Sequence, residues 1–152
     1  MRKLFAIVLT FALLMSLSVT AFAANTTGGD ADITTSIDPT YTVTIPADVN
    51  VAFNATETDF GVIEVTASQI HPDKCIKVAL ATDKELNNAI DNTKVIPYAI
   101  KDSEGAAFTS ATYLTEGDKT ELSIHITAND WNAAYAGDYS DTVTFTVSYE
   151  DK

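Results

Sequence analysis

The chain has 152 residues, 46% of them apolar and 20% charged, with 9 basic side chains against 21 acidic ones. That length suits one folded domain, and the composition is too apolar for a disordered chain and too poor in glycine and proline for a fibrous one. A net charge of −12 argues against DNA or RNA as a partner, since phosphate binding needs a cationic face.

Arg2 and Lys3 open the chain, an apolar run follows from Leu4 to Met15, and small residues lead to Ala21-Phe22-Ala23. A positive start, a short apolar stretch and an A-x-A site predict a secretory signal peptide over residues 1–23, cut after Ala23. The apolar run is shorter than the roughly 20 residues that cross a bilayer, so no stable membrane insertion is expected after cleavage. Losing the signal removes two cations and no acid, leaving 129 residues at a net charge of −14 with seven lysines and no arginine. A ligand held by guanidinium forks is thereby excluded. Residues 24–30, small, polar and glycine-bearing, read as a flexible leader, and 31–152 as the folded domain.

Within that domain the dominant pattern is alternation with period two, the mark of a half-buried strand. Ala31, Ile33, Thr35 and Ile37 alternate weakly with Asp32, Thr34, Ser36 and Asp38. Tyr41, Val43 and Ile45 share one face, and Phe60 to Val65 is a less regular strand candidate. Ile76, Val78 and Leu80 alternate, as do Ile96, Tyr98 and Ile100, and then Leu122, Ile124 and Ile126. The cleanest run comes last, with Val143, Phe145, Val147 and Tyr149 set against Thr142, Thr144, Thr146 and Ser148. Turn chemistry separates the runs at Ile45-Pro46-Ala47-Asp48, His71-Pro72-Asp73, Ser103-Glu104-Gly105 and Glu116-Gly117-Asp118. Six or seven strands without a long amphipathic helix predict an all-β antiparallel sandwich rather than βαβ units. One helical turn is expected at residues 130–136, capped by Asn129 or Asp130 and stopped by Gly137, with Trp131 and Tyr135 on one face.

The segment Ala136-Gly137-Asp138-Tyr139-Ser140-Asp141 with Thr142 to Tyr149 resembles the closing strand of bacterial exported immunoglobulin-like domains. It is similar to that of spore-coat-U-like proteins and fimbrial subunits. Tyr41-Thr42-Val43-Thr44-Ile45-Pro46-Ala47 resembles an early strand of WxL-like surface domains. The resemblance spans about 21 residues (seven plus fourteen) and implies an immunoglobulin-like sandwich of about seven strands, placed outside the cell or on its surface. Tyr139, after Gly137, is then expected at a tyrosine corner, its hydroxyl bonded back to the connecting backbone. A B–F cystine is impossible, because Cys75 is the only cysteine. That thiol is expected to be a buried small hydrophobe, the alternative being an intermolecular link. A Lys–Asn or Lys–Asp amide cross-link in place of a disulfide is left open.

His71-Pro72-Asp73-Lys74-Cys75 places a base, an acid and a thiol within five residues, yet a thiol nucleophile needs partners brought together by the fold. The segment reads as a turn. His125 reads as a solvated strand residue, two histidines and one cysteine make a zinc site improbable, and no EF-hand spacing is present. No nucleophile elbow, P-loop or dinucleotide fingerprint occurs. No enzyme, metal or cofactor is therefore expected. The expected role is that of a secreted or surface-associated structural or adhesive protein, a pilin-like subunit of an extracellular assembly whose partners are other copies or surface proteins. Strand 31–37 is then either the first strand of its own sandwich or a strand donated to a neighbour's edge. The alternative is a carbohydrate-binding module in which Trp131 and Tyr135 stack on a glycan.

Overall fold

The computed structural model describes residues 30–152; the expected signal peptide, its cleavage point and most of the leader lie outside them. Ser36–Lys152 forms one compact unit. Its elements in chain order are β1 (Thr40–Thr44), β2 (Glu57–Gln69), β3 (Lys74–Ala81), β4 (Glu85–Asn88), β5 (Val95–Pro97), β6 (Ala99–Asp102) and β7 (Ser110–Tyr113). Then follow β8 (Lys119–His125), helix α1 (Ala128–Ala133), β9 (Tyr139–Ser140) and β10 (Thr144–Asp151). The fold is all-β and sandwich-like, with every strand pair antiparallel. One sheet runs β1-β2-β8-β6, a second β10-β3-β7, and a third, smaller sheet β5-β4-β9.

Alternation is what clamps the layers together. Ile63 and Val65 of β2, Leu122 and Ile124 of β8 and Ile100 of β6 meet Ile76 and Val78 of β3 and Tyr113 of β7 in one buried cluster. The irregular pattern of β2 has a local cause. Asp59 pairs with Ser123 and Gly61 with Leu122, so Phe60 is an extra residue in a β-bulge. The bulge lets Phe60 and Ile63, three apart, both face inward. Gly61 carries it with a φ of 112° and a backbone N–H bonded to Asp59 Oδ1 at 2.9 Å. The single run expected over 96–100 is two strands. β5 pairs with β4 and β6 with β8, so the chain changes sheet at Tyr98 while Ile96, Tyr98 and Ile100 all stay buried.

Two expectations fail. Residues 30–39 form no strand, and Ile33 is 98% and Ile37 63% exposed. The stretch holds only two large apolar side chains, and Pro39 cannot donate to a ladder, so it has little to bury. The helix begins and ends earlier than expected. Thr127 caps it, accepting the Asp130 N–H at 3.2 Å, and Ala134 is already extended at φ −69° and ψ 143°. Trp131 and Tyr135 therefore do not share a helical face, and Gly137 does not stop the helix.

The last strand, cleanest in sequence, is thinly covered. β10 contains no buried residue. Its inward positions Phe145, Val147 and Tyr149 pair with Leu80, Val78 and Ile76. Val78 and Ile76 are fully buried, whereas Val147 is 38% exposed. Tyr149 stacks on Tyr41 of β1 with ring centroids 5.8 Å apart, and Phe145 on Phe60 at 5.9 Å. The first contact bridges the edge strands of the two larger sheets, and the second ties β10 to β2.

The β7–β8 turn is held by a carboxylate. Asp118 accepts from Leu114 N at 2.7 Å, Thr115 N at 2.9 Å and the Thr115 hydroxyl at 3.0 Å, and these bonds, the Leu114 N–H first, hold its carboxyl below the usual value. Asp91, bonded by Thr93, and Glu150, bonded by Ser148 and Lys77, are lowered likewise. A depressed folded pKa contributes stability above the unfolded value, near 4, that is lost as pH falls through the folded value. Melting temperature is accordingly expected to fall below about pH 4, and Asp118→Asn to flatten part of that dependence when melting is followed across pH 2–6 by circular dichroism.

Candidate functional site

The loop after β1 and the segment that carries β9 stand apart over the uncovered start of β10. Between them lies an open cleft of about 810 Å³. Ile45, Val49 and Phe53 line it from the loop, Val143 and Phe145 from the other side, and Phe60, Ile96 and Ile124 reach it from the core. Asp48, Asp138 and Asp141 also line it.

Each wall is fastened by a specific contact. Trp131 donates its indole N–H to Ala55 O at 2.8 Å, and Phe53 meets its ring edge-on at 5.6 Å and 80°. The indole thus ties the loop to the helix. Tyr139 accepts the Tyr135 N–H at 3.1 Å and donates to Tyr135 O at 3.0 Å, bonding back to the connecting backbone. Gly137 has a φ of 145°, and a Cβ there would lie 2.6 Å from Asn88 Nδ2. Asn88, the one buried polar residue among those described, accepts the Ile90 and Asp91 N–H groups at 2.9 and 3.2 Å. Close backbone approach, not helix termination, is what requires this glycine.

Tyr98 and Asp141, both of which line the cleft, meet Thr82 in one hydrogen-bonded trio. The phenol donates to Asp141 Oδ2, Thr82 Oγ1 donates to the same oxygen at 2.8 Å, and the two hydroxyl oxygens lie 2.7 Å apart. Burial, with the Asp141 hydrogen bond second, pushes the Tyr98 phenol far above its usual pKa. It is an uncharged strut between the end of β3, the sheet-switching residue and the β9 segment. No sequence motif marks this trio, whose members lie 16, 43 and 59 positions apart.

The two aromatics of the glycan reading are not brought together as a platform. Tyr135 is 63% exposed, lies beneath the Lys94 ammonium at 5.0 Å, and is not among the cleft residues. The His71–Cys75 stretch is a turn closed by Lys74 N to His71 O at 3.1 Å. Cys75 is buried, its thiol 3.7 Å from Asp151 O. His125 is bonded to Ser123 at 2.9 Å. Among the described residues there is no cluster of three His, Cys, Asp or Glu side chains able to hold a metal, and no helix long and apolar enough to cross a membrane. Nor is any described lysine buried, as an amide cross-link would need to neutralise its amine. Lys74 pairs with Asp151, Lys77 with Glu150 and Lys119 with Glu121 at the surface.

Because Cys75 is buried, its thiol is expected to resist an Ellman-type reagent in the native protein and to react at the rate of unfolding. Fast native labelling would contradict that packing. No protein-family model matches the chain, and no characterised protein matches it in sequence.

Proposed function

We propose that the protein is a secreted, non-enzymatic structural subunit that joins an extracellular assembly through the open side of its sandwich. The observation that carries this reading is the pairing of a free edge with an uncovered interior. Among the described residues β10 has a strand on one side only, and its Phe145 borders a cleft that core residues also line. An exposed edge of this kind is a template for another strand. The A-x-A signal supports export, and the absence of a nucleophile or metal motif supports a role in binding rather than turnover. The glycan reading has less support, because the Trp131 N–H is already bonded within the protein and Tyr135 lies apart from the cleft.

Sedimentation of residues 24–152 across a concentration series tests assembly. Oligomers that grow with concentration are expected, and they should strengthen with salt, since copies at a net charge of −14 repel at low ionic strength. A chain that stays monomeric at millimolar concentration refutes the reading. A glycan array on the same protein separates the alternative: glycan binding lost on Trp131→Ala would replace assembly as the function.

A further inference from the structure

We infer that the cleft between the β1–β2 loop and the β9 segment binds a small amphiphilic cation, an apolar molecule that carries one ammonium group. Assembly along the β10 edge neither requires this site nor is required by it. Each wall of the cavity is held from behind. The loop wall is pinned to α1 by the Trp131 indole on Ala55 O. The β9 wall is pinned beside β4 by the Ala89 N–H on Asp138 O at 2.8 Å and by the pairing of Asn87 and Asn88 with Ser140 and Tyr139. Neither set of bonds joins the loop to the β9 segment. At about 810 Å³ the space falls within the range of small-molecule sites, and a pre-formed cleft spares a ligand the cost of ordering the protein. Phe60, Ile96 and Ile124 belong to the core and line the cleft as well. An apolar body that displaces water from such side chains binds favourably.

Charge selects among apolar ligands. Asp48 comes from the loop wall, Asp138 and Asp141 from the β9 wall, and among the described residues no Lys, Arg or His lines the cleft. Three carboxylates around an apolar floor focus a negative potential, which rejects fatty acids and other apolar anions and attracts a cation. Asp141 is already engaged, accepting the Thr142 N–H at 2.6 Å and two hydroxyls. Asp48 and Asp138 enter no ion pair among the described residues, so a ligand ammonium supplies the counter-charge that neighbouring side chains do not. Phe53, Trp131 and Tyr139 line the same space, and aromatic rings attract an ammonium through their quadrupole.

The test titrates the chain of residues 24–152 with decyltrimethylammonium below its micellar concentration. Decyl sulfate and decyl maltoside serve as anionic and uncharged counterparts with the same tail. Trp131 is the only tryptophan and lines the cleft, so its fluorescence reports occupancy, and calorimetry gives the stoichiometry. Saturable one-to-one binding of the ammonium is expected with a Kd on the order of 100 µM, the reach of so small a ligand. It should be at least about tenfold tighter than binding of the other two. Asp48→Asn with Asp138→Asn is expected to weaken it about tenfold. Glu104→Gln with Glu116→Gln removes the same charge from turns outside the cleft and is expected to change it less than about twofold, because salt screens distant charges. All four side chains are exposed, so both variants should fold, which circular dichroism checks. Absence of saturable ammonium binding, equal affinity for the three headgroups, or equal loss in the two variants overturns the inference and leaves the assembly reading standing. A chain that binds the ammonium as expected yet never associates overturns the assembly reading alone.

Discussion

Ile76→Ala is expected to cost about 2–5 kcal/mol, the range for removing a large aliphatic side chain from a packed core. Ile76 is fully buried and stands in the middle strand of its sheet, paired with Tyr149 on one side and Tyr113 on the other. Neither tyrosine can swing into the space left behind, because the Tyr113 hydroxyl donates to Thr120 at 2.8 Å and that of Tyr149 accepts the His71 N–H at 2.9 Å. The cavity therefore persists, and the cost falls toward the upper half of the range. Val147→Ala, one strand away on the same inner face, is expected to cost less than about 1 kcal/mol, since a partly exposed side chain has less transfer energy to lose. Urea unfolding of the two variants at unchanged m-value measures the difference. Equal costs would mean that β10 is covered as deeply as β3, which would also remove the basis for an open edge.

Gly137→Ala is expected to destabilise by about 2–4 kcal/mol, combining backbone strain of 1–3 kcal/mol with displacement of a buried amide. At a φ of 145° the added methyl meets Asn88 Nδ2 at 2.6 Å, and Asn88 cannot retreat without releasing the Ile90 and Asp91 N–H groups it holds. Gly105 provides the control. Its φ is 81° with nothing within 4 Å of a new Cβ, so Gly105→Ala carries backbone strain alone, about 1 kcal/mol. A double-mutant cycle with Asn88→Ala should recover part of the Gly137→Ala loss, because the two share one contact. Thermal melting of the four proteins reads this directly, and strict additivity would show that the clash is not the cause.

Most of the strand content was legible along the chain, because a residue facing the core every second position is a local property. β1, β3, β8 and β10 fall within a few residues of their expected runs. What escaped were elements too short to show a period: β4, β7 and the two residues of β9. The helix was misplaced because Thr127, not Asn129 or Asp130, supplies its capping oxygen. Gly137 does not stop the helix, and the residue that a Cβ there would meet, Asn88, is 49 positions away in the chain. The stretch 31–37 has the alternation of a strand and no partner among the described residues.

Alternation, turn residues and the lone cysteine by themselves determined an all-β domain without a disulfide, since these follow from side-chain polarity and from counting. Only the tertiary structure decided which strands are neighbours and where cover runs out. An identical Thr-Val-Thr pattern reads the same in a central strand and in an edge strand, and burial depends on what the rest of the chain lays against it. That is why the most regular run in the sequence became the most exposed strand of its sheet, and why the cleft beside it has no signature in the linear order of residues.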